Sequence, residues 1–242
     1  MHTALKNTCA LVTGASRGVG RAIAIALASN GALVVASARS AEGLARTVEL
    51  IEESGGRGVP ISADLADDSA IVDLIARARD RLGRLDILVN NAGVTHSAQL
   101  AETTTAAWDR CMAINARAPF VLCREALPLL RRGDAARIIN IASVVAVKGY
   151  ARQSAYTASK HALRGMSIAL AEELRESNIR VHVLCPGGIR TDMVTQVRPD
   201  IPAADLIDPE EIAQLVVYLA GYRGNAVIDD LHIRRAASAP WY

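Results

Sequence analysis

Short apolar runs alternate with longer amphipathic segments along most of this chain. Apolar runs bounded by glycine or polar residues are typical of strands that are buried on both faces of a parallel sheet. Apolar residues spaced three and four positions apart predict helices. The predicted strands are residues 9–13, 33–38, 58–63, 86–89, 137–142, 180–184 and 227–233. The predicted helices are residues 21–29, 67–82, 154–176 and 210–220, with a helical tract over 103–131 that we expect to bend near Pro119.

Repeated alternation of strand and helix predicts a parallel sheet with helices on both faces. The pattern has no low-complexity tract and no interdomain linker, so we expect one domain over residues 1–242. The predicted fold class is α/β, a single-domain Rossmann-type doubly wound parallel sheet. Ligands of such sheets bind beyond the carboxyl ends of the strands. That rule directs attention to the residues that directly follow each predicted strand.

A glycine-rich turn, residues 14–20, follows the first predicted strand and precedes the first predicted helix. It consists of Gly14, Ala15, Ser16, Arg17, Gly18, Val19 and Gly20. Glycine lets the backbone approach a ligand closely, and the start of a helix offers free N–H groups and a positive dipole end. Strand, glycine turn and helix together predict a cradle for the pyrophosphate of a dinucleotide. Plain loop chemistry is the alternative interpretation.

The second predicted strand ends at the position where an acidic residue would hold the adenosine ribose of NAD, and Arg39 directly follows that position. Alanine occupies the preceding position, and Arg17 is a second cation nearby. A guanidinium suits a phosphate by its charge and by its fork of donors. The sequence therefore predicts NADPH rather than NADH as the cofactor. Ordinary surface charge is the alternative explanation for both arginines.

Composition excludes several classes of partner. The formal net charge of the 242 residues is +2, the charges are interspersed, and aromatic residues make up 3%. This argues against a nucleic-acid partner and a membrane partner. Charges break the apolar stretches well short of a membrane span, and no leader-like segment opens the chain, so we expect a cytoplasmic protein.

The four cysteines are expected to be buried, small apolar residues. They are Cys9, Cys111, Cys123 and Cys185. None has Cys-x-x-Cys spacing, and no histidine lies at metal-ligand distance in the sequence. We therefore expect no disulfide and no metal.

Tyr156 and Lys160 lie four residues apart in a predicted helix, so their side chains emerge on one face, one turn from each other. An ammonium near a phenol favours the phenolate and makes the phenol a stronger acid. Such a phenol can give a proton to a carbonyl oxygen near neutral pH. Alone, the pair is also compatible with an ordinary solvated helix face.

In combination these segments resemble the short-chain dehydrogenases/reductases over nearly the whole chain. The matching positions are the turn 13–20, Asp64, the Asn-Asn-Ala-Gly segment 90–93, Asn115, Ser143, Tyr156, Lys160, Pro186 and Gly187. The run of motifs is most similar to the 3-oxoacyl-carrier-protein reductases and their general ketone-reductase relatives.

The resemblance implies catalytic roles for Asn115, Ser143, Tyr156 and Lys160. Tyr156 would be the general acid or base, and Ser143 would hydrogen-bond the substrate oxygen. Lys160 would hold the nicotinamide ribose and lower the pKa of Tyr156. Asn115 would keep a water in place that relays protons to Lys160.

The resemblance also implies a cofactor site. Gly14, Gly18 and Gly20 would face the pyrophosphate, Asp64 would meet the adenine amino group, and Thr191 would hold the nicotinamide carboxamide. Asp64 is also explained as a residue that simply ends a strand. The full expected set is Gly14, Ser16, Arg17, Gly18, Val19, Gly20, Arg39, Asp64, Leu65, Asn91, Ala92, Gly93, Tyr156, Lys160, Pro186, Gly187, Ile189 and Thr191.

The implied activity is NADPH-dependent reduction of a ketone to a secondary alcohol, with a 3-oxoacyl thioester as one candidate substrate. One alternative is an NADP-dependent alcohol or sugar dehydrogenase. Another is an NADPH-sensing regulator without catalysis, against which the presence of all four catalytic residue types argues. The resemblance further implies a homo-oligomer, a dimer or a tetramer, acting on a small molecule.

Two segments depart from the family or vary within it. Relatives often end with a strand that runs into Val-Asp-Gly-Gly, whereas this chain has Ile233-Arg234-Arg235 at that point. We expect the tail that follows either to cover a neighbouring subunit or to fray. The segment between Asp192 and Asp208 is expected to be a lid over a modest apolar substrate, with an ordinary connector as the alternative.

Overall fold

The structure is a computed structural model that describes residues 5–240. Within these residues, seven strands form one sheet, and every pairing is parallel. They are β1 (Cys9–Thr13), β2 (Leu33–Ala38), β3 (Arg57–Ser62), β4 (Ile87–Asn90), β5 (Ala136–Ile141), β6 (Ile179–Pro186) and β7 (Asp230–Ile233). Their order across the sheet is β3-β2-β1-β4-β5-β6-β7. The chain therefore reverses its direction of travel between β1 and β4, which opens a crevice at their carboxyl ends.

Eight α-helices connect or follow the strands within the described residues. They are α1 (Gly18–Ser29), α2 (Ala41–Glu53), α3 (Asp68–Leu82), α4 (Thr105–Met112), α5 (Ala118–Leu130), α6 (Ser154–Glu173), α7 (Asp192–Val197) and α8 (Pro209–Gly221). In residues 5–240, no helix combines the length and the apolarity that crossing a bilayer requires.

Two hydrophobic cores lie on opposite faces of the sheet, because successive strand residues point to opposite sides. Ala10 and Val12 of β1 contribute to the core under α1, α2 and α8. Leu11, between them, contributes to the core under α3, α5 and the end of α6. The predicted fold, a single-domain doubly wound α/β protein, is confirmed.

One helix, α2, is absent from the sequence-based prediction. It begins after Ser40, whose hydroxyl accepts the N–H of Gly43 at 3.0 Å, and this is a typical helix cap. Leu44, Thr47 and Ile51 are its buried residues. Their spacing of three and four residues is typical of one face of a helix.

The long helical tract is interrupted one turn earlier than its proline suggests. A π-helix, Ala113–Arg117, joins α4 to α5, and the N–H of Ala118 donates to the carbonyl of Ala113 five residues back. Pro119 lies in the first turn of α5, where its missing N–H needs no partner. The prediction of a break near Pro119 is therefore right in place, although the irregularity is a wider turn.

Candidate active site

A cleft of about 1100 Å³ opens beyond the carboxyl ends of the strands. It brings together residues from widely separated parts of the chain. The predicted site residues that line it are Gly14, Ser16, Arg17, Gly18, Val19, Gly20, Arg39, Asp64, Leu65, Asn91, Ala92, Gly93, Ser143, Tyr156, Lys160, Pro186, Gly187, Ile189 and Thr191. Asn115 is the one predicted site residue that does not line the cleft.

The turn after β1 needs glycine at two positions for two different reasons. Gly14 has a φ of +66°, and a Cβ on it would lie 2.8 Å from the Cα of Ala92. Gly20 is buried, and a Cβ there would overlap the Gly14 carbonyl and the side chain of Asn91. Gly20 therefore allows α1 to pack tightly onto the turn, and its expected role of facing a pyrophosphate stays a prediction.

The start of α1 is open toward the cleft. Arg17 is the N-cap residue but makes no side-chain cap bond, and the first turn carries no acidic residue. Gly18 has a φ of +54°, and a Cβ on it would come within 3.2 Å of the Thr191 side chain. Free N–H groups, a positive dipole end and a backbone without side chains suit the diphosphate of a dinucleotide. The residues present therefore fit such a cofactor.

Asn91 fixes the crevice between β1 and β4. Its side chain donates to the Thr13 carbonyl at 2.9 Å, and its backbone N–H donates to the Thr13 hydroxyl at 3.1 Å. The same hydroxyl donates to the Val89 carbonyl at 3.2 Å. This network holds the two strands at the point where the sheet order reverses.

The two arginines expected to bind a phosphate differ in their surroundings. Arg17 pairs with Asp192 at 3.0 Å, and both side chains are largely exposed. Arg39 is exposed at the cleft, and no carboxylate within residues 5–240 lies at ion-pair distance from it. Its guanidinium is thus the one of the two that is available to a ligand.

Asp64 has a local structural contact as well as a place in the cleft wall. Its Oδ1 accepts the N–H of Ala66 at 3.1 Å, an Asx-type turn at the end of β3. The turn agrees with the interpretation that Asp64 ends a strand. Its carboxylate is also exposed and borders the cleft, which agrees with the interpretation that it meets an adenine amino group.

Lys160 is buried at the inner end of the cleft. Its Nζ donates to the carbonyl of Ile141 at 2.9 Å, and only 4% of the residue is exposed. Burial lowers the pKa of Lys160 to about 8. A Cβ on Gly93 would lie 3.6 Å from this nitrogen, so Gly93 leaves the ammonium accessible from the cleft.

Tyr156 and Ser143 meet where α6 faces the end of β5. Burial raises the pKa of Tyr156, and a hydrogen bond with Ser143 opposes that rise. Lys160 is not among the groups that shift this pKa. Desolvation is the largest influence on the pKa of Tyr156 in this structure, and the expected acidification of the phenol by Lys160 stays a prediction. The phenol is protonated at neutral pH.

Asn115 is fully buried in the π-helix. Its Oδ1 accepts the N–H of Val94 at 2.8 Å, and its Nδ2 donates to the Val94 carbonyl at 2.8 Å and to Ser159 Oγ at 2.9 Å. Ser159 in turn donates to the Tyr156 carbonyl at 2.8 Å. Asn115 thus ties the segment after β4 to α6. The expected role of holding a water stays a prediction.

The chain after β7 lines the cleft, which sequence reasoning missed. The N–H of Gly187 donates to the Ile233 carbonyl at 2.7 Å, so the tail starts beside the Pro186-Gly187 turn. Arg234, Arg235 and Ser238 are cleft residues. Within the described residues, the tail therefore covers part of its own site. Residues 241 and 242 lie outside the described part of the chain.

The segment expected to be a lid contains a short helix, α7. Met193, Val194, Val197 and Ile201 line the cleft together with Arg198. These apolar side chains support the expected apolar wall. Closure of the segment stays a prediction.

Cys185, Asp230 and His232 come together across β6 and β7, beside the predicted catalytic residues, because the Cys185 sulfur accepts the backbone N–H of Ser143. One potential ligand atom from each lies within 4.8 Å of the others. Arg164 already pairs with Asp230 at 2.5 Å, and burial with the Asp230 charge raises the pKa of Cys185 to about 12. The thiol is therefore protonated, and the carboxylate is engaged.

The four cysteine thiols are free. Cys111, Cys123 and Cys185 are buried, whereas Cys9 is half-buried. The interpretation of the cysteines as small apolar residues thus holds best for the three buried ones.

Comparisons with known proteins agree with this architecture. The family model described as "short chain dehydrogenase" matches residues 8–202. A 3-oxoacyl-[acyl-carrier-protein] reductase of a Synechocystis strain is 35% identical over 224 residues, which cover 90% of this chain and 91% of the relative.

Two solved structures are similar over nearly their whole length. A dehydrogenase/reductase from Sinorhizobium meliloti 1021 is 42% identical, with a TM-score of 0.89 and 98% of each chain covered. A metagenomic short-chain oxidoreductase in complex with NADP is 35% identical, with a TM-score of 0.85, and covers 97% of this chain and 100% of its own.

Proposed function

Because the chain belongs to the short-chain dehydrogenase/reductase family and is therefore an oxidoreductase, we propose that it reduces a ketone to a secondary alcohol with NADPH. The observation that carries this proposal is the meeting of Tyr156 and Ser143 in a cleft with the Lys160 nitrogen at its inner end. Three polar groups, one from the segment after β5 and two from α6, thus meet at the inner end of the cleft.

The chemistry requires donors at the carbonyl oxygen. When bound, the nicotinamide supplies hydride to the carbonyl carbon. Ser143 donates a hydrogen bond to the oxygen as negative charge grows on it, and Tyr156 gives it the proton that completes the alcohol. A half-buried phenol with a raised pKa holds its proton at neutral pH, as this direction of reaction requires.

Proton supply to Tyr156 is assigned to Lys160. Its pKa of about 8 lies close to neutrality, so it gives up and regains a proton readily. Asn115 acts as a positioning residue, since its contacts with Val94 and Ser159 hold the cleft wall against the helix that carries Tyr156.

The cofactor proposal favours NADPH over NADH. Arg39 borders the cleft without a carboxylate partner among residues 5–240, and a guanidinium there suits the phosphate on the adenosine ribose. The metagenomic short-chain oxidoreductase, one of the similar solved structures, is in complex with NADP. The diphosphate is assigned to the backbone of Gly14, Gly18 and Val19 at the start of α1.

The proposed substrate is a ketone, with 3-oxoacyl thioesters as the first compounds to test, because a relative is named as a 3-oxoacyl-carrier-protein reductase.

We also propose that the protein is a homo-oligomer. Phe120 on α5 and Ile168 on α6 are large apolar side chains with 49% and 56% of their area exposed. Sedimentation at micromolar concentration checks this, and a monomer contradicts it.

The proposed reaction is tested by following NADPH absorbance with a panel of 3-oxoacyl thioesters, α-diketones and aryl ketones. Turnover with at least one ketone, faster with NADPH than with NADH, is the expected result. Tight NADPH binding without turnover on any ketone contradicts the proposal and favours a sensing role.

A further inference from the structure

The outer part of the cleft, here called the mouth, is formed by three segments that meet there. The Nζ of Lys148 lies 5.2 Å from the ring centroid of Tyr150, on the segment before α6. Arg198, after α7, lies close to Tyr150, whose effect on the pKa of Arg198 comes after the larger effects of Asp200 and of burial. Arg235 of the tail is close enough to Asp200 to help lower the pKa of that carboxyl, after the larger effect of Arg198. The mouth thus consists of residues 148–150, 198–201 and 235.

Most cations around the mouth already have partners. Arg198 holds Asp200 through two nitrogens, at 2.8 and 2.7 Å. Arg190 pairs with Asp208. Arg234 turns toward its own tail and donates to the carbonyls of residues 235, 236 and 238 at 3.2, 3.0 and 2.8 Å. These contacts stabilise the walls of the mouth.

Arg235 is different, since its guanidinium has neither a carboxylate nor a carbonyl within hydrogen-bond distance in the part of the chain that the structure describes. The residue is half-buried and lines the cleft. No nitrogen of Arg235 is among the buried side-chain atoms that lack a partner in residues 5–240, so its donors are open to solvent and available to a ligand. Among residues 5–240, the positive charge of Arg235 therefore has no carboxylate partner at hydrogen-bond distance.

The stem of Arg235 is held in place. A Cβ on Gly188 would lie 3.5 Å from its Cδ, and a Cβ on Gly187 would lie 3.7 Å from its Cγ. The stem therefore packs against the turn formed by the two glycines. The hydrogen bond between Gly187 and Ile233 fixes the backbone two residues before the arginine. A side chain positioned in this way loses little rotamer freedom when it binds.

We propose that Arg235 is a specificity-determining residue that binds an anionic group, a carboxylate or a phosphate, on the ketone substrate. The enzyme would then prefer anionic ketones over neutral ones of the same size. This inference rests on the proposed reduction of a ketone and adds the charge of the substrate to it.

The chemistry of the group explains the choice of an anion. A guanidinium presents a planar fork that matches a carboxylate or a phosphate with two parallel hydrogen bonds. Val194 and Leu206 lie near Gly188 and give the region an apolar wall on one side. Removal of the guanidinium is expected to cost about 10- to 100-fold in kcat/KM for an anionic substrate.

The test compares matched pairs of ketones that differ in charge. The pairs are 3-oxobutanoate with methyl 3-oxobutanoate, 2-oxobutanoate with methyl 2-oxobutanoate, and dihydroxyacetone phosphate with dihydroxyacetone. For each pair, kcat/KM with NADPH is measured for the unaltered enzyme, Arg235→Ala, Arg235→Lys and the control Arg234→Ala. The pairs separate a carboxylate site from a phosphate site.

The expected result is a preference for the anion in at least one pair, lost in Arg235→Ala and partly kept in Arg235→Lys. Arg234→Ala is expected to leave the ratio within the pair unchanged, because its guanidinium faces the tail carbonyls. Equal reduction of anion and neutral partner by the unaltered enzyme overturns the inference while leaving the proposed function intact.

Binding provides a second measurement that does not depend on turnover. Butanoate and inorganic phosphate are titrated calorimetrically into the full chain with NADP⁺ present. Binding of one anion that weakens about 10- to 100-fold in Arg235→Ala supports the inference even if no ketone is reduced. If neither anion binds, or if binding is unchanged in Arg235→Ala, the inference is wrong. Absence of turnover on every ketone, by contrast, counts against the proposed function.

Discussion

The nitrogen of Lys160 donates to the main-chain carbonyl of Ile141 at 2.9 Å. Ile141 is the last residue of β5, and Ser143 follows two positions later. The contact therefore anchors α6 to the end of the central strand, one helical turn after Tyr156. Through this anchor the sheet sets the position of the phenol relative to the serine hydroxyl.

Burial of Lys160 makes the free energy of unfolding depend on pH. The folded-state pKa of about 8 lies below the usual value of 10.5, so between these two pH values the unfolded chain binds the proton that the folded chain has lost. Stability that derives from this group therefore rises as pH increases from about 8 to 10.5. We expect the free energy of unfolding of the unaltered protein, minus that of Lys160→Met, to grow by on the order of 3 kcal/mol over this range.

Denaturant unfolding at a series of pH values measures this difference. Subtracting the Lys160→Met values removes the contributions of other titrating groups. A difference that stays flat or falls from pH 8 to 10.5 means that Lys160 does not titrate as its burial requires.

Gly20 and Gly165 form a matched pair of helical glycines. A Cβ on Gly20 would overlap the Gly14 carbonyl, whereas a Cβ on Gly165 of α6 would have no heavy atom within 4 Å. We expect Gly20→Ala to lower the free energy of unfolding by about 1–3 kcal/mol and to weaken NADPH binding. Gly165→Ala should raise stability by about 0.5–1 kcal/mol.

Thermal and denaturant unfolding of the two variants provide the measurement. Similar effects of the two substitutions on stability and cofactor binding would show that the turn is not tightly packed at Gly20.

Arg39 and Arg17 allow a graded test of cofactor choice. Arg39→Ala should raise the KM for NADPH about 10- to 100-fold and leave the KM for NADH nearly unchanged, because only NADPH carries the additional phosphate. Arg17→Ala should have a smaller effect, since Arg17 already pairs with Asp192. Steady-state kinetics with both cofactors decide the matter, and an unchanged preference in Arg39→Ala contradicts the assignment.

Much of the architecture could be predicted from local pattern. The glycine turn, the apolar strands and the Tyr156–Lys160 spacing carry their signals within a few residues, and strand alternation with helices limits the possible topologies. Pro119 marked the neighbourhood of the interruption, but the π-helix Ala113–Arg117 itself precedes the proline and has no proline signal.

Other features depend on distant contacts that periodicity does not encode. The raised pKa of Tyr156 results mainly from desolvation by neighbouring elements. The four-residue spacing between Tyr156 and Lys160 does not encode that desolvation. The place of Arg235 depends on the pairing of β7 with β6, which brings the tail beside Gly187 and Gly188. Gly20 lies in the expected motif, yet its packing role follows from the approach of Gly14 and Asn91.

Proton donation by the phenol of Tyr156 is the central claim, and Tyr156→Phe tests it most directly. The variant keeps the ring but removes the proton that the carbonyl oxygen receives. We expect kcat for ketone reduction to fall by about 10²–10⁴-fold, with the dissociation constant for NADPH unchanged. Ketone reduction by Tyr156→Phe at the rate of the unaltered enzyme would contradict the account.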